Sequence, residues 1–195
     1  MKNGTFETEL GFIDSDIVKD FVDYCLARAP EYFYTMPAST TGKYHPAYTL
    51  GNGGLVRHTK AAVRIAEELL RLEQYSHLPH DTIISALILH DVIKKGDANS
   101  QWTATEHPVL ACAFVEKCLA DCAGYLETIH GPVAYQLFIE NVVPEMCDLI
   151  RSHMGQWNTN KFGQEIMPKP FSSAEKFVHL CDYLASRKFI TCEVD

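Results

Sequence analysis

The stretch Ile83-Ile84-Ser85-Ala86-Leu87-Ile88-Leu89-His90-Asp91 joins an apolar run to a strongly polar ending. The run is apolar nearly all round, which predicts a helix over about residues 81 to 94 at the centre of a helical bundle. Two strong metal ligands at the end of a buried helix require a partner, because an unpaired buried charge is costly. His90 and Asp91 therefore indicate a metal site at this end of the helix.

Apolar stripes at helical spacing predict further helices on both sides of this run. Their ranges are about 15 to 29, 55 to 73, 106 to 122, 144 to 153 and 172 to 188. Residues 123 to 142 are ambiguous, because Gly124, Gly131 and Pro132 interrupt them and leave room for one short helix. Alternating apolar–polar runs are short and lack hairpin turns, so the predicted fold class is all-α. Residues 1 to 36 are expected to be a helical extension packed on the main domain, 37 to 195, in one globular unit.

Composition restricts the class of protein. The chain has 195 residues, is 47% hydrophobic and 22% charged, and carries a formal net charge of -8. This negative charge argues against binding of duplex DNA over a broad surface. A small anionic substrate is still compatible with it, because metal cations can dominate the local charge of a pocket. The seven cysteines include no CxxC pair, which predicts reduced core thiols in a cytoplasmic protein. Neither a secretory signal nor a membrane span is predicted, because the N-terminus is polar and the apolar runs are short.

Further candidate metal ligands flank the His-Asp pair along the chain. His58 precedes it, and His107, His153 and Asp182 follow it. Ligands at helix ends can converge at one end of a bundle, as metal sites in bundle cores require. A divalent cation there would lower the pKa of bound water and act as a Lewis acid, which are the two requirements of phosphate-ester hydrolysis.

The residue types predict how two cations would share these ligands, because a carboxylate can bridge two ions. The expected bridge is Asp91. The first ion is assigned to His58, His90 and Asp182, and the second to His107 and His153. If either histidine of the second ion is misassigned, His130 is the best substitute.

Each ligand also has a plain structural interpretation when it is taken alone. His58 and His107 could cap helix starts, and His153 could complement a helix dipole. Asp182 could pair with a basic residue later on its helix. The joint order around a His-Asp dipeptide favours the metal site over these separate explanations.

This order resembles the HD-domain phosphohydrolase superfamily, whose pattern is H…HD…D, often with two further histidines between. The resemblance covers about residues 35 to 188 and rests on five segments above all. They are GGLVRHT (53–59), ALILHDVIKKG (86–96), EHPVLACA (106–113), RSHMG (151–155) and EKFVHLCDYLASR (175–187). The resemblance implies an HD-domain helical bundle with the metal site at its core.

Nearest in motif is the HD domain of YhaM-type 3′–5′ exoribonucleases, and that of MobH-type relaxases is more distant. The exoribonucleases carry an N-terminal oligonucleotide-binding barrel, for which residues 1 to 36 are too short and too helical. They also usually show a second histidine at the position where Met154 follows His153.

The resemblance implies residues that contact the substrate. Lys94 falls on the lysine of the family's HDxxK pattern and is expected to contact substrate phosphate. Asp91 and Lys94 are thus the predicted catalytic residues. Further candidates for contacts with the substrate are His45, Arg57, Arg151, Trp157 and Arg187.

The leading functional prediction is a metal-dependent phosphohydrolase or phosphodiesterase that cleaves a phosphate ester of a nucleotide or short oligonucleotide. Its expected cofactors are one or two divalent ions of Mn, Fe, Co, Ni or Zn. The alternatives are a 3′–5′ exonuclease on single-stranded nucleic acid and a non-catalytic nucleotide-binding regulatory module. The expected partner is a small phosphorylated substrate, with no duplex DNA and no membrane. The aromatic segment 32 to 50 is a candidate homo-oligomer interface or a cover for the site.

Overall fold

The computed structural model describes residues 4–96, 100 and 102–194, so residues 1–3 of the predicted extension lie outside it. Turns and loops of very different length connect its α-helices. These are α1 Glu7–Leu10, α2 Asp16–Arg28, α3 Glu31–Thr35, α4 Gly54–Leu70, α5 His80–Leu89, α6 His107–His130, α7 Pro132–Leu137, α8 Val143–Ser152 and α9 Ser173–Ala185. Within the described residues, extended segments pair only at an isolated bridge between Thr159 and Glu165. The all-α prediction is confirmed for this part of the chain.

Helix α5 lies at the centre of the bundle, as its composition predicts. All its residues from Thr82 to Leu89 are buried, and it packs against α2, α4, α8 and α9. The helix ends at Leu89, earlier than predicted. The amides of Val92 and Lys94 instead bond to carbonyls three residues earlier, which tightens the chain into turns. His90 and Asp91 are therefore held in a turn at the end of a buried helix.

Helix α6 is longer than predicted, because Gly124 does not interrupt it. A glycine inside a helix costs about 1 kcal/mol relative to alanine, and here Leu126 is completely buried nearby on the same helix. The real break is at Gly131, whose φ of 82° is unfavourable for other residues. The ambiguous stretch therefore contains the end of α6, the short α7 and a single π-helical turn over 138–142 that leads into α8.

The N-terminal helices pack on this bundle. Helix α2 contacts α5 and α6, while α1 contacts α4. The ring of Phe6 stacks on that of Phe33, and Phe21 meets Phe138 edge-on with ring centroids 5.3 Å apart. Among the helices of the described residues, none has both the length and the apolar composition that crossing a membrane requires.

The connection between α3 and α4 passes very close to the start of α4. It contains one 3₁₀ turn, Ala47–Thr49, and then reaches Gly53, whose φ is 71°. A Cβ on the next residue, Gly54, would lie 2.0 Å from the backbone oxygen of Thr49. That oxygen accepts a hydrogen bond from the amide of Ala38, so it is not free to move away. Gly54 thus fixes the loop against the helix that carries His58.

Gly54→Ala is expected to lower the free energy of unfolding by about 3 kcal/mol, because the new methyl group would overlap backbone rather than a flexible side chain. Urea unfolding followed by circular dichroism measures this change. Gly124→Ala is the matched control, since a Cβ there meets no atom within 4 Å. In that helical position the same substitution should stabilise the protein by about 0.5–1 kcal/mol. Equal effects of the two substitutions would contradict the close approach at Gly54.

Candidate metal centre

The six predicted ligands converge at one end of the bundle, on five separate segments of the chain. The packing of α4 on α9, and of α5 on α8 and α9, sets their separation. Five of them are at most 2% exposed, and Asp182 is 19% exposed. The six are His58 near the start of α4, His90 and Asp91 after α5, His107 at the start of α6, His153 after α8 and Asp182 within α9.

Three of the imidazoles are held with the same nitrogen facing the cluster. In each, Nδ1 bonds to the backbone carbonyl three residues earlier, at 2.6 Å for His90, 2.8 Å for His107 and 2.7 Å for His153. A carbonyl can only accept a hydrogen bond, so Nδ1 carries a hydrogen, and in the neutral ring the lone pair lies on Nε2. Metal-binding histidines are typically oriented in this way by a backbone carbonyl.

The atoms that face each other inside the cluster are mostly hydrogen-bond acceptors. Nε2 of His107 lies 3.2 Å from Nε2 of His153 and 3.0 Å from Oδ1 of Asp91. With the hydrogens on Nδ1, each of these contacts places one lone pair against another, which is unfavourable in a buried site. Neither Nε2 of His90 nor Oδ1 of Asp91 has a hydrogen-bond partner. A cation between them would satisfy these atoms together.

Asp91 faces a different pair of histidines with each carboxylate oxygen. Its Oδ2 lies 3.8 Å from Nε2 of His58 and 3.4 Å from Nε2 of His90. Its Oδ1 lies 3.0 Å from Nε2 of His107 and 3.9 Å from Nε2 of His153. The carboxylate therefore lies between two groups of nitrogen ligands.

Asp182 belongs to the same cluster and does not pair with a basic residue of its own helix. Its Oδ1 is 2.9 Å from Nε2 of His58 and 3.6 Å from Nε2 of His90. The ligand atoms of His58, His90 and Asp182 all lie within 4.8 Å of one another, and so do those of His90, Asp91 and His153. Each of these two buried clusters could hold a metal ion.

Charges inside the cluster separate the pKa values of its members. Burial lowers the pKa of His90, but the carboxylates of Asp91 and Asp182 outweigh it and raise this pKa to about 10. Burial, together with the nearby His90, lowers the pKa of His153 to about 3. Burial alone would raise the pKa of Asp91, but Lys94 and His90 hold it well below its usual range. The carboxylates thus stay charged, and a cation competes with a proton for His90.

A cavity of about 590 Å³ opens over the cluster. His45 lines it, and burial together with His58 and Lys94 lowers the pKa of His45 to about 4, so its ring is neutral near pH 7. Lys94 also lines the cavity and forms an ion pair with Oδ2 of Asp91. Trp157 and Arg187 are the other predicted substrate contacts that the structure brings to this cavity.

The structure does not bring Arg57 or Arg151 to the cavity, because each guanidinium is held elsewhere. Arg57 donates to backbone carbonyls of the loop 48–52, at 2.5, 3.1 and 2.9 Å, and so fastens that loop to α4. Arg151 pairs with Glu116 at 2.9 Å and with Asp148 at 3.3 Å on the surface. These contacts replace the substrate contacts expected from the sequence.

Two further histidines have roles outside the ligand set. His130 lies at the opposite end of α6 from His107 and pairs with Asp20 at 3.0 Å, so it does not serve as a substitute ligand. His179 donates from Nδ1 to the carbonyl of His153, at 2.7 Å. A Cβ on Gly155 would lie 2.3 Å from the His179 ring, so the turn after His153 is packed directly on this side chain.

Sequence reasoning missed several side chains of the cavity wall. Among them are Tyr44 and Tyr183. The sequence did contain a signal for Tyr183, because it directly follows the candidate ligand Asp182 and lies four residues, about one helical turn, before Arg187. No comparable signal existed for Tyr44, because its loop approaches the other wall residues only in the fold.

No family model, curated protein or solved structure matches this chain. In the part of the chain that the structure describes, the fold is all-α and two buried His/Asp clusters could hold metal ions. A fold alone does not determine an activity, so the function has to be argued from the chemistry of these residues and of the cavity above them.

Proposed function

We propose that the protein is a metal-dependent phosphohydrolase of the HD-domain type that hydrolyses a phosphate ester of a nucleotide or short oligonucleotide. The observation that carries the proposal is that Nε2 of His90 and Oδ1 of Asp91 are buried without a hydrogen-bond partner, within a His/Asp cluster that lies beneath an open cavity. Divalent ions of Mn, Fe, Co, Ni or Zn suit such nitrogen and carboxylate ligands. When bound, they lower the pKa of water and act as Lewis acids.

The orientation of Asp91 supports a site for two ions over a site for one. Each of its oxygens faces a separate pair of imidazole nitrogens, so one carboxylate can serve both groups. Under the proposal, one ion is held by His58, His90 and Asp182. The second is held by His107 and His153, with Asp91 shared between the two.

Lys94 and His45 are proposed to act on the substrate. Lys94 compensates the charge of Asp91 at the same oxygen that faces His58 and His90. With a cation bound to that oxygen, Asp91 would no longer need the charge of Lys94, and the ammonium group on the cavity wall could contact a phosphate oxygen. The neutral ring of His45 adds a hydrogen-bonding group without adding a positive charge.

The size of the cavity favours a small substrate. Its volume of about 590 Å³ falls in the range of roughly 300–1,000 Å³ that is typical of small-molecule sites. A single nucleotide, or the last nucleotide of a strand, is of this size. The acidic net charge of -8 argues against an extended nucleic-acid surface.

Elemental analysis of the purified protein, followed by phosphate release from a nucleotide panel, tests the proposal. We expect two transition-metal ions per chain and release that disappears on chelation and returns with Mn²⁺. One ion per chain would restrict the site to His58, His90, Asp91 and Asp182. Protein that holds no metal even after addition of Mn²⁺ or Co²⁺ would contradict the metal centre. Bound metal and tightly bound nucleotide without any product would contradict the hydrolase and favour a regulatory module.

A further inference from the structure

Three large aromatic side chains line the cavity beside the candidate metal ligands, and they are Tyr44, Trp157 and Tyr183. The rings of Trp157 and Tyr183 are stacked, with centroids 5.9 Å apart and 11° between their planes. Trp157 is 47% exposed and Tyr44 is 56% exposed, and both line the cavity. Exposed aromatic surface grouped inside a cavity is typical of ligand-binding sites.

Arg187 connects these rings. The central carbon of its guanidinium lies 4.2 Å from the ring centroid of Tyr183 and 5.9 Å from that of Tyr44. Its hydrogen bonds go to the carbonyl of Tyr183 and the hydroxyl of Ser186. Among the described residues, no carboxylate forms an ion pair with it, so its positive charge is available to an anionic ligand in the cavity.

The aromatic residues are fixed relative to the metal ligands by short stretches of chain. Trp157 ends the 3₁₀ turn Gly155–Trp157, which begins two residues after His153, and its ring lies 6.0 Å from that of His179. Tyr183 is the neighbour of Asp182 on α9. A ligand with its phosphate at the His/Asp cluster and a flat group on Trp157 would therefore contact two surfaces whose relative position is fixed by the fold.

We infer that Tyr44, Trp157, Tyr183 and Arg187 form a ring-binding wall, and that the substrate is a nucleoside phosphate whose base stacks on Trp157. Arg187 contacts an oxygen of the same ligand from its position between the two tyrosines. The inference rests on the proposed function for the phosphate end of the ligand. It distinguishes a nucleoside phosphate from a sugar phosphate, which offers no flat ring to this wall.

Calorimetric titration of the full, Mn²⁺-loaded chain with two non-hydrolysable phosphonates tests the inference. One ligand is a nucleoside 5′-phosphonate, and the other is the corresponding ribose phosphonate without a base. We expect the nucleoside ligand to bind about tenfold more tightly, as stacking of one base on one aromatic side chain provides. Trp157→Leu should remove most of this preference and leave the affinity for the ribose ligand unchanged.

Three comparisons make the titration specific. Trp157→Phe keeps an aromatic face and should keep part of the preference. Trp102→Leu is the matched control, because Trp102 is 67% exposed and is not among the cavity-lining residues, so the preference should be unaffected. The ribose ligand itself reports whether Trp157→Leu preserves the metal end of the cavity.

The inference is overturned if the wild-type chain binds both ligands equally, binds neither, or retains its preference in Trp157→Leu. Phosphate release from the natural esters is measured in parallel, and it tests the proposed hydrolase activity independently of the base preference. A base preference without phosphate release keeps the ring-binding wall and contradicts the hydrolase. Equal release from nucleoside and sugar phosphates, with no base preference, keeps the hydrolase and contradicts the wall.

Discussion

Asp91→Ala is expected to reduce phosphate release by at least about a thousandfold, which corresponds to the several kcal/mol that a metal centre contributes to the transition state. The carboxylate faces both groups of imidazoles, so its loss should impair both proposed ion sites at once. Metal content should fall from two ions to at most one. Steady-state kinetics with a nucleotide, together with elemental analysis of the same preparation, measures both effects.

The fold should survive this substitution. Asp91 lies in a turn after α5 rather than inside the apolar helix, and its contacts are with the cluster and Lys94. Far-ultraviolet circular dichroism should therefore match that of the wild type. Asp148→Ala is the control, because that carboxylate is 65% exposed and pairs with Arg151 on the surface. A fully active Asp91→Ala variant would disprove the proposed role of the cluster.

Much of the helical fold, and the His/Asp residues that it brings together, could be predicted because both follow from local patterns. The apolar run before His90 is long enough to identify the central helix without knowledge of its neighbours. The candidate ligands could be picked out because their residue types are unusual at helix ends and within α9. The structure brings all six together, and five of them, all but His107, belong to the two clusters that could hold a metal ion. Their role as ligands stays a prediction.

Helix limits were predicted less well, because tertiary packing decides them. Gly124 was taken as a break, but burial of other residues along α6 outweighs its low helix propensity. The end of α5 at Leu89 depends on turns that bring Asp91 towards histidines distant in sequence. No local pattern contains that information.

The fate of the four cationic candidates shows why substrate contacts are hard to predict from sequence. The guanidinium of Arg57 donates hydrogen bonds to loop carbonyls, and that of Arg151 pairs with surface carboxylates. Only Lys94 and Arg187 reach the cavity. The difference lies in which acceptors happen to lie nearby in space. The ring-binding wall has the same origin, since Tyr44 and Arg187 are far apart in sequence and meet only because the fold brings the loop before α4 close to the residues after α9.

Metal binding should also raise the free energy of unfolding of this protein by a large amount. A ligand that binds only the folded state at about a thousand times its Kd stabilises it by about 4 kcal/mol. For a chain of this size, that corresponds to a rise in Tm of roughly 8–16 °C. Thermal unfolding with EDTA and with excess Mn²⁺ measures the gain. An unchanged Tm would contradict a preformed site among the buried acceptors.

His107→Leu separates this gain from ordinary packing, because its effect should depend on the metal. In EDTA, the change removes two lone-pair contacts, with His153 and Asp91, and replaces a polar ring with an apolar side chain of similar size. The carbonyl of Ala104 keeps a partner, since it also accepts from the backbone amide of residue 107. The metal-free variant should therefore lie within about 1 kcal/mol of the metal-free wild type.

With excess Mn²⁺ the same variant should lose about half of the metal-dependent gain, because one of the two ion sites lacks a ligand. His77→Leu is the control, since His77 is exposed in the loop before α5 and should leave the gain intact. If His107→Leu destabilised the metal-free and metal-loaded forms equally, His107 would be a packing residue rather than a ligand. A loss of stability confined to the metal-loaded form would mean that the His107 side chain serves to bind the ion, because without the ion it contributes little to the free energy of unfolding.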